Sequence, residues 1–453
     1  MRTAAEHLEA ILTAITPAPR ERVALAEAVG LALAEDVTAT ADLPGFDNSA
    51  MDGYAVQAGS LAGADAQPVR LRIVGEVAAG AFGRFEVGAG EAARIMTGAP
   101  VPAGADAVIP VEQTDAAAEG AVTCRAPVDP GQFVRRRGED VRAGTVVARA
   151  GQVVGPRTVA LIAASGHADC LVHRRPHVVV VSTGDELVPP GQPLGPGQIH
   201  DSNSVMLQAA VVAAGATAEI RAAVADSERD LLLVLDEAIG PMETVETTDP
   251  VGRADAARQA GTARRNGTGR RARAGLADEP VGRADVIVTS GGVSMGAYDV
   301  VKSGLRGSGV EFVTVAMQPG KPQGFGFVLG TSGRRVPLFA LPGNPVSSYV
   351  SFELFVRPAL RRMMGRVPES RPTRRARVTQ PLRSPAGRRQ FARAVVDHDA
   401  AGELLAEPVA GQGSHFVADL SRANALLVVP ETVTQVAAGA ELDVILLDVE
   451  GES

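Results

Sequence analysis

HVVVVSTGDEL, residues 177–187, decides how this chain is read. Four consecutive valines, Val178 to Val181, are β-branched and apolar on both alternating faces, the pattern of a strand covered on both sides. The run ends in the polar loop TGDEL. The same design recurs twice downstream: ADVIVTS (284–290) breaks into GGVSMG, and VPLFALPGNP (336–345) leads into VSSYVSFELFVRPALRRMM (346–364). Between the runs, SNSVMLQAAVVAA (202–214) and the stretch from Glu228 to Ile239 carry helical apolar spacing. Strands of this kind alternating with helices predict a parallel, three-layer α/β domain over 177–365. In the third unit Asn344 is suited to cap the helix, with Pro345 at its first position, where a missing N–H costs nothing.

Outward from this core the pattern changes. The N-terminal 30 residues place acids within an apolar helical period, which reads as an amphipathic helix. Residues 46–145 alternate short β-like runs such as VRLRIVGEVAAG with Gly and Pro, predicting a β-rich insert domain, and 1–45 with 146–176 form a helix and connecting region. Residues 366–453 return to short strands, as in NALLVVPE and ELDVILLDV, and predict a small β-barrel-like domain. A chain of 453 residues exceeds what one core supports, so this multidomain α/β organisation fits its length. One stretch breaks the pattern. Residues 241–283 are rich in Arg, Gly and Ala and nearly devoid of large apolar side chains, and PVGRAD is repeated at 250–255 and 280–285, so an insert expected to be disordered lies here.

Composition excludes several functions. A net charge of −8 provides no positive field for nucleic acid or anionic lipid. No stretch of about 18 apolar residues is present to span a membrane. The two cysteines, Cys124 and Cys170, lack partners at zinc-ligand spacing.

In a parallel α/β sheet the ligand crevice forms where loops leave the carboxyl ends of the strands. Three such loops carry polar signatures. Gly291 and Gly292 permit close backbone approach to phosphate, with Ser290 and Ser294 as hydroxyl donors; a tight turn is the competing reading. Pro342, Gly343 and Asn344 form the third loop. Asp185 and Glu186, with Asp299 near the same crevice, supply oxygen ligands for a hard divalent cation such as Mg2+, against the alternative of a solvated loop. Lys321 stands between Gly320 and Pro322, a rigid setting for a cation aimed at an anion, but the segment is no Walker A loop. Upstream, Asp47, Asp52 and Thr97 read as turn residues to which general physics assigns no ligand.

The blocks PGFDNSAMDGYAV (44–56), RIMTGAPVPAGADAVIPVE (94–112), RRRGEDV (135–141), VSTGDEL, DSN (201–203), VTSGGVSMGAYD (288–299), PGKP (319–322) and LPGNPVSS (341–348) together resemble the molybdopterin molybdenumtransferase family, the bacterial MoeA proteins and the E domain of gephyrin. They occur in the family's order, and GSHFVADLSRANALLVVPE (413–431) resembles its final domain. The resemblance implies a molybdopterin-binding, adenylyltransferase-like α/β domain. It also implies a cytoplasmic, Mg2+-dependent enzyme that inserts molybdate into adenylylated molybdopterin with release of AMP. It further implies a homodimer whose cleft is shared between subunits, with the pathway's adenylyltransferase as a possible partner. By carry-over, Asp52, Thr97, Asp140, Glu186, Asp226, Asp299 and Lys321 occupy functional positions. Gln318 stands where the family often has a second lysine, so molybdate would rely on Lys321, backbone amides and an arginine such as Arg137. Two rival readings remain: a molybdopterin adenylyltransferase, which would leave the upstream blocks without purpose, and a noncatalytic dimeric scaffold, against which the acids and Lys321 argue.

Overall fold

A computed structural model of the chain describes residues 1–81, 85–115, 117–224, 227–240, 283–293, 299–409 and 411–448. Ser294, Asp226 and nearly all of the 241–283 insert lie outside them. The chain divides into two compact units, residues 1–19 with 173–452, and residues 20–172. Labels below are for the first unit.

Its centre is a six-stranded sheet of β1 (His177–Thr183), β2 (Thr217–Val224), β3 (Val286–Ser290), β4 (Val310–Thr314), β5 (Pro322–Leu329) and β6 (Arg335–Leu341), in the order β2-β1-β3-β6-β5-β4. The pairs β2–β1, β1–β3 and β3–β6 are parallel, as the apolar runs predict. β5 runs antiparallel to both its neighbours, so the sheet is parallel except for that strand. The valines of β1 are fully buried because both faces are covered. Val178 and Val180 meet Leu207 and Val211 of α2 (Ser202–Ala213), while Val179 and Val181 meet Leu231 and Leu235 of α3 (Glu228–Ile239). Each such side chain contributes on the order of 1.5–3 kcal/mol by leaving water.

The helices start as their sequences require. α1 (Ala4–Ala14) opens on a capping box: Glu6 N–H donates to Thr3 Oγ1 (3.1 Å) and Thr3 N–H to Glu6 Oε2 (2.8 Å). Ile11 and Ile15 then enter the same core as α2. Asp201 caps α2 and Ser227 caps α3. α4 (Val300–Gly304) follows Asp299, and α5 (Pro345–Ser351) continues through a π-helical turn, Phe352–Val356, into α6 (Arg357–Met363). Asn344 departs from expectation. It stands at the cap position of α5 with extended backbone, yet its side chain makes no capping bond; its Nδ2 donates instead to Ser414 Oγ (3.0 Å).

Beyond α6, strands β7 (Thr373–Val378), β8 (Arg389–His398), β9 (Leu404–Pro408), β10 (Ala425–Val429) and β11 (Glu441–Leu446) pair in the circle β8-β9-β7-β11-β10-β8. Closure removes free edges and makes this a small barrel. It carries its own core around Ala392, Leu427 and Val444, and sends Phe391, Leu426 and Leu447 into the α/β core.

The second unit is β-rich, as predicted. Its five-stranded sheet runs Ala107–Pro110, Gly53–Val56, Glu91–Ile95, Val69–Val77, Ala121–Cys124 in spatial order, over a core that includes Tyr54, Leu61 and Ile109. A further cluster around Leu33, Ile162 and Val172 gathers the helix Pro156–Ala164 and the segments beside it. Both cysteines are buried and unpaired, and burial pushes the Cys124 thiol up to about 11, so neither is a ready thiolate. Among the described residues no helix is long and apolar enough to cross a membrane.

Candidate active site

At the carboxyl ends of β1, β3 and β6 lies a cavity of about 660 Å³. It is walled by Thr183, Gly184 and Glu186 of the first loop, Ser290 to Val293 of the second, Pro342 to Pro345 of the third, and Asp201 to Asn203 at the start of α2; Asp299 and His415 also face it. The glycines are there for a reason. Gly291 has φ +99°, and a Cβ would stand 2.9 Å from the Thr183 carbonyl oxygen. Gly343 passes so close that its Cβ would sit 3.4 Å from the Gly291 Cα. The loops therefore nest backbone against backbone and leave their amides near whatever fills the cavity.

Asn203 ties two of the loops together. Its Nδ2 donates to Ser290 Oγ (2.9 Å) and to the Gly343 carbonyl (2.6 Å). Three polar atoms of this wall, Ser182 Oγ, Thr183 Oγ1 and Asn203 Oδ1, are buried without a protein partner. A polar wall with unused hydrogen-bonding capacity suits a polar ligand.

Glu186 and Asp299 line the same cavity, while Asp185 is exposed and not part of its wall. Among the described residues no three His, Cys, Asp or Glu side chains cluster closely enough to enclose a metal ion. Two carboxylates nevertheless suit magnesium, which keeps waters and takes its remaining oxygens from phosphate. The residues present thus fit that ion.

Lys321 is exposed and lies outside the cavity wall, although the adjoining Pro322 lines it. Its loop is pinned by Gln323, whose Nε2 donates to Gly320 O (2.7 Å) and Ser351 Oγ (2.6 Å). Gln318 does not line the cavity either; its Oε1 accepts from Arg388 of the barrel domain (3.3 Å). Arg388 and His415 are the residues that sequence reasoning missed. Their signals were GRRQF and GSHF, but only folding brings a C-terminal domain beside loops some 70 residues earlier.

The second unit assembles its own cluster. Asp52 Oδ1 accepts from the Thr97 backbone N–H (2.6 Å) and hydroxyl (2.8 Å), and these bonds, the backbone one foremost, hold Asp52 below the usual carboxylate range. Ser49 fixes the same two segments together, its N–H donating to Ala99 O (3.0 Å) and its carbonyl accepting from Gly98 (2.8 Å). Asp47 accepts from the Arg137 N–H (2.8 Å) and from Arg136 Nη1 (2.7 Å), which lower its pKa in that order. Arg137 is committed through Nε to Asp42 (2.5 Å). Asp42 is lowered first by the Ala143 N–H and then by this contact. Asp140 is exposed, with its backbone N–H on Leu43 O (3.0 Å). Asp52 and Thr97 are thus brought together, whereas Asp140 and Arg137 belong to a neighbouring turn.

Comparison with known proteins identifies the chain's relatives. Residues 2–166 match the MoeA N-terminal region (domain I and II), 271–362 a probable molybdopterin binding domain, and 375–447 the MoeA C-terminal region (domain IV). Molybdopterin molybdenumtransferase 2 of Mycobacterium tuberculosis is 44% identical over 98% of this chain and 99% of its own length. The molybdopterin molybdenumtransferase of Bacillus subtilis is 33% identical over 96% and 91%. A solved molybdopterin biosynthesis MoeA protein from Pyrococcus horikosii superposes with a TM-score of 0.75 at 31% identity, over 99% of each chain. Three matched regions in order and full-length relatives of this similarity place the chain in the molybdopterin molybdenumtransferase (MoeA) family.

Proposed function

We propose that this chain is a molybdopterin molybdenumtransferase of molybdenum cofactor biosynthesis, acting in the cytoplasm on adenylylated molybdopterin and molybdate. The observation that carries the reading is the cavity where three loops leave β1, β3 and β6, with Glu186 and Asp299 facing backbone amides and unpartnered hydroxyls. Water attacks phosphorus, the phosphoanhydride P–O bond breaks and AMP departs; the two dithiolene sulfurs then replace one molybdate oxygen, which leaves as water with the two thiol protons, and molybdenum keeps its oxidation state. Because the reactants are all anions, positioning and charge neutralisation dominate the barrier.

Within the cavity, Ser290, Gly291, Gly292, Pro342, Gly343 and Asn344 hold phosphate and pterin edges, and Ser294, outside the described residues, adds a hydroxyl to the same sequence motif. Glu186 and Asp299, helped by Asp185, would hold Mg2+, which when bound neutralises phosphate oxygens and polarises phosphorus. Lys321 and the Arg388–Gln318 pair supply positive charge and hydrogen bonds to molybdate, so Arg388 answers the lysine missing at 318. Asp52, Thr97, Asp140 and Asp226 act on the incoming oxyanion, and the active form is a homodimer in which the second unit of one subunit completes the cleft of the other. In this reading the four parts of the chain are 1–45 with 146–176, 46–145, 177–365 and 366–453.

The test is AMP release from adenylylated molybdopterin, measured with and without molybdate and scored alongside mature cofactor. Molybdate-dependent AMP release supports the proposal. Formation of adenylylated molybdopterin from ATP and molybdopterin alone would identify an adenylyltransferase instead, and neither reaction would leave a scaffold.

A further inference from the structure

We propose that Asn203 is a positioning residue that turns the Ser290 hydroxyl into a donor aimed at an anionic oxygen of the bound molybdopterin substrate; this rests on the reading of the cavity given above. Four observations carry it. The Gly343 carbonyl can only accept, so the amide atom 2.6 Å from it must be Nδ2, and this settles which way the Asn203 amide faces. The same Nδ2 donates its other hydrogen to Ser290 Oγ at 2.9 Å. A serine hydroxyl has one hydrogen, and with an acceptor lone pair occupied by Asn203 that hydrogen must point elsewhere. Ser290 is almost wholly buried and lines the cavity, and among the described residues its hydroxyl meets no acceptor, so its proton faces the ligand space.

The remaining amide atom supports the same reading. Asn203 Oδ1 is buried with no protein partner, as is Ser182 Oγ on the strand next to Ser290, where Ser182 and Ser290 are register partners. A buried acceptor without a partner is costly unless a ligand or water satisfies it. One amide thus orients a donor for an anion and braces the loops that carry it, while its buried Oδ1 is left to water. Glycine geometry alone does not do this: Gly291 and Gly343 allow the loops to approach, but neither determines which way a hydroxyl points.

Calorimetric titration of molybdopterin, and of molybdopterin stripped of its phosphate, into the full-length protein and its variants tests the proposal. Asn203→Ala and Ser290→Ala should each weaken molybdopterin binding about tenfold, the loss of one hydrogen bond to a charged group. The double variant should bind no more weakly than either single one, because both remove the same donor. Asn203→Asp, nearly identical in shape, should bind more weakly still, since its carboxylate would draw the Ser290 proton away from the cavity. None of these penalties should appear with the dephosphorylated ligand. Circular dichroism identifies any variant that misfolds, and Asn203→Asp against Ser290→Ala then carries the comparison. Penalties that multiply in the double variant, or that persist without the phosphate, would assign Asn203 a purely structural role and overturn the proposal. Failure of the unaltered protein to bind molybdopterin would instead refute the reading of the cavity, and the inference with it.

Discussion

The two units hold their polar loops by opposite means. In the first, the loops after β1, β3 and β6 pack glycine against backbone and are tied by a neutral amide, Asn203, leaving Glu186 and Asp299 at the cavity. In the second, the loops around Asp42, Asp47 and Asp52 are tied by the carboxylates themselves, each accepting a backbone N–H and a side-chain bond. Acids that tie a loop are fixed in place by that tie, whereas a loop tied by an amide does not rely on its carboxylates for it. The difference teaches that Asp47 and Asp42 are anchors, while Glu186 and Asp299 face a cavity whose loops a neutral amide ties.

The strongest way to break this comparison is to neutralise the acids that line the cavity. Glu186→Gln and Asp299→Asn should each reduce molybdenum insertion at least about a hundredfold, as expected when metal-held charge is removed from a phosphoryl-transfer site. Thermal melting of Glu186→Gln should shift little, because Glu186 is an exposed loop residue. Insertion at the unaltered rate in limiting magnesium would remove both from the site.

Next in size is a test of whether Asp52 serves the same reaction from the second unit. Asp52→Ala and Lys321→Ala, each inactive alone, should regain up to about half of the unaltered activity per dimer when coexpressed and purified as a doubly tagged heterodimer, since one intact cleft of the two then forms. A heterodimer that stays inactive would mean that each cleft is built within one subunit.

Gln318→Lys sharpens the comparison at a smaller scale. A lysine here adds a cation beside Arg388, and we expect molybdate to bind about two- to fivefold more tightly at low ionic strength, with the gain fading as salt screens it. Arg388→Ala should act in the opposite direction. Affinity unchanged by both substitutions would put this pair beyond reach of the anion.

Much of the first unit was legible because its signals are local. Four valines in a row make a strand, and a strand ending in Ser-Gly-Gly makes a loop that approaches its neighbours closely. The short C-terminal strands predict the barrel, but the antiparallel return of β5 and the strand order that closes the barrel were not legible, since they depend on which distant strands pair. Asn203 stood out only within the DSN block, and its tie to the loops was not legible, because its partners stand 87 and 140 residues away. Asn344 misled because its sequence position invites a cap, while tertiary contact with Ser414 offered the amide a competing partner. In the second unit the motifs were recognisable by resemblance alone. Nothing in the spacing of Asp52 and Thr97, 45 residues apart, says that one holds the other.

The smallest effect follows from the charge on the anchors. Asp42, Asp47 and Asp52 have pKa values lowered in the folded protein, mainly by the N–H groups of Ala143, Arg137 and Thr97 respectively. A carboxylate with a depressed folded pKa adds stability above its unfolded pKa of roughly 3.9, and that stability is lost as pH falls through the folded value. The Asn203 clamp does not titrate. Amide hydrogen exchange at pH 5 and pH 3 should therefore show Thr97, Arg137 and Ala143 losing protection relative to the core amide of Val56, while the amides around Gly291 and Gly343 keep theirs relative to Val179. Referring each loop to the core of its own unit matters, because burial lowers His7 to about 4. Below about pH 6.5 the unfolded chain takes up a proton there that the folded one resists, so acid weakens the whole first unit and Val179 with it. Asp47→Asn should abolish the acid-dependent part of the Arg137 change. Equal acid loss in both sets of loops, after this correction, would mean that the anchors' charges do not hold the second unit's loops and that the contrast between the units is one of sequence only.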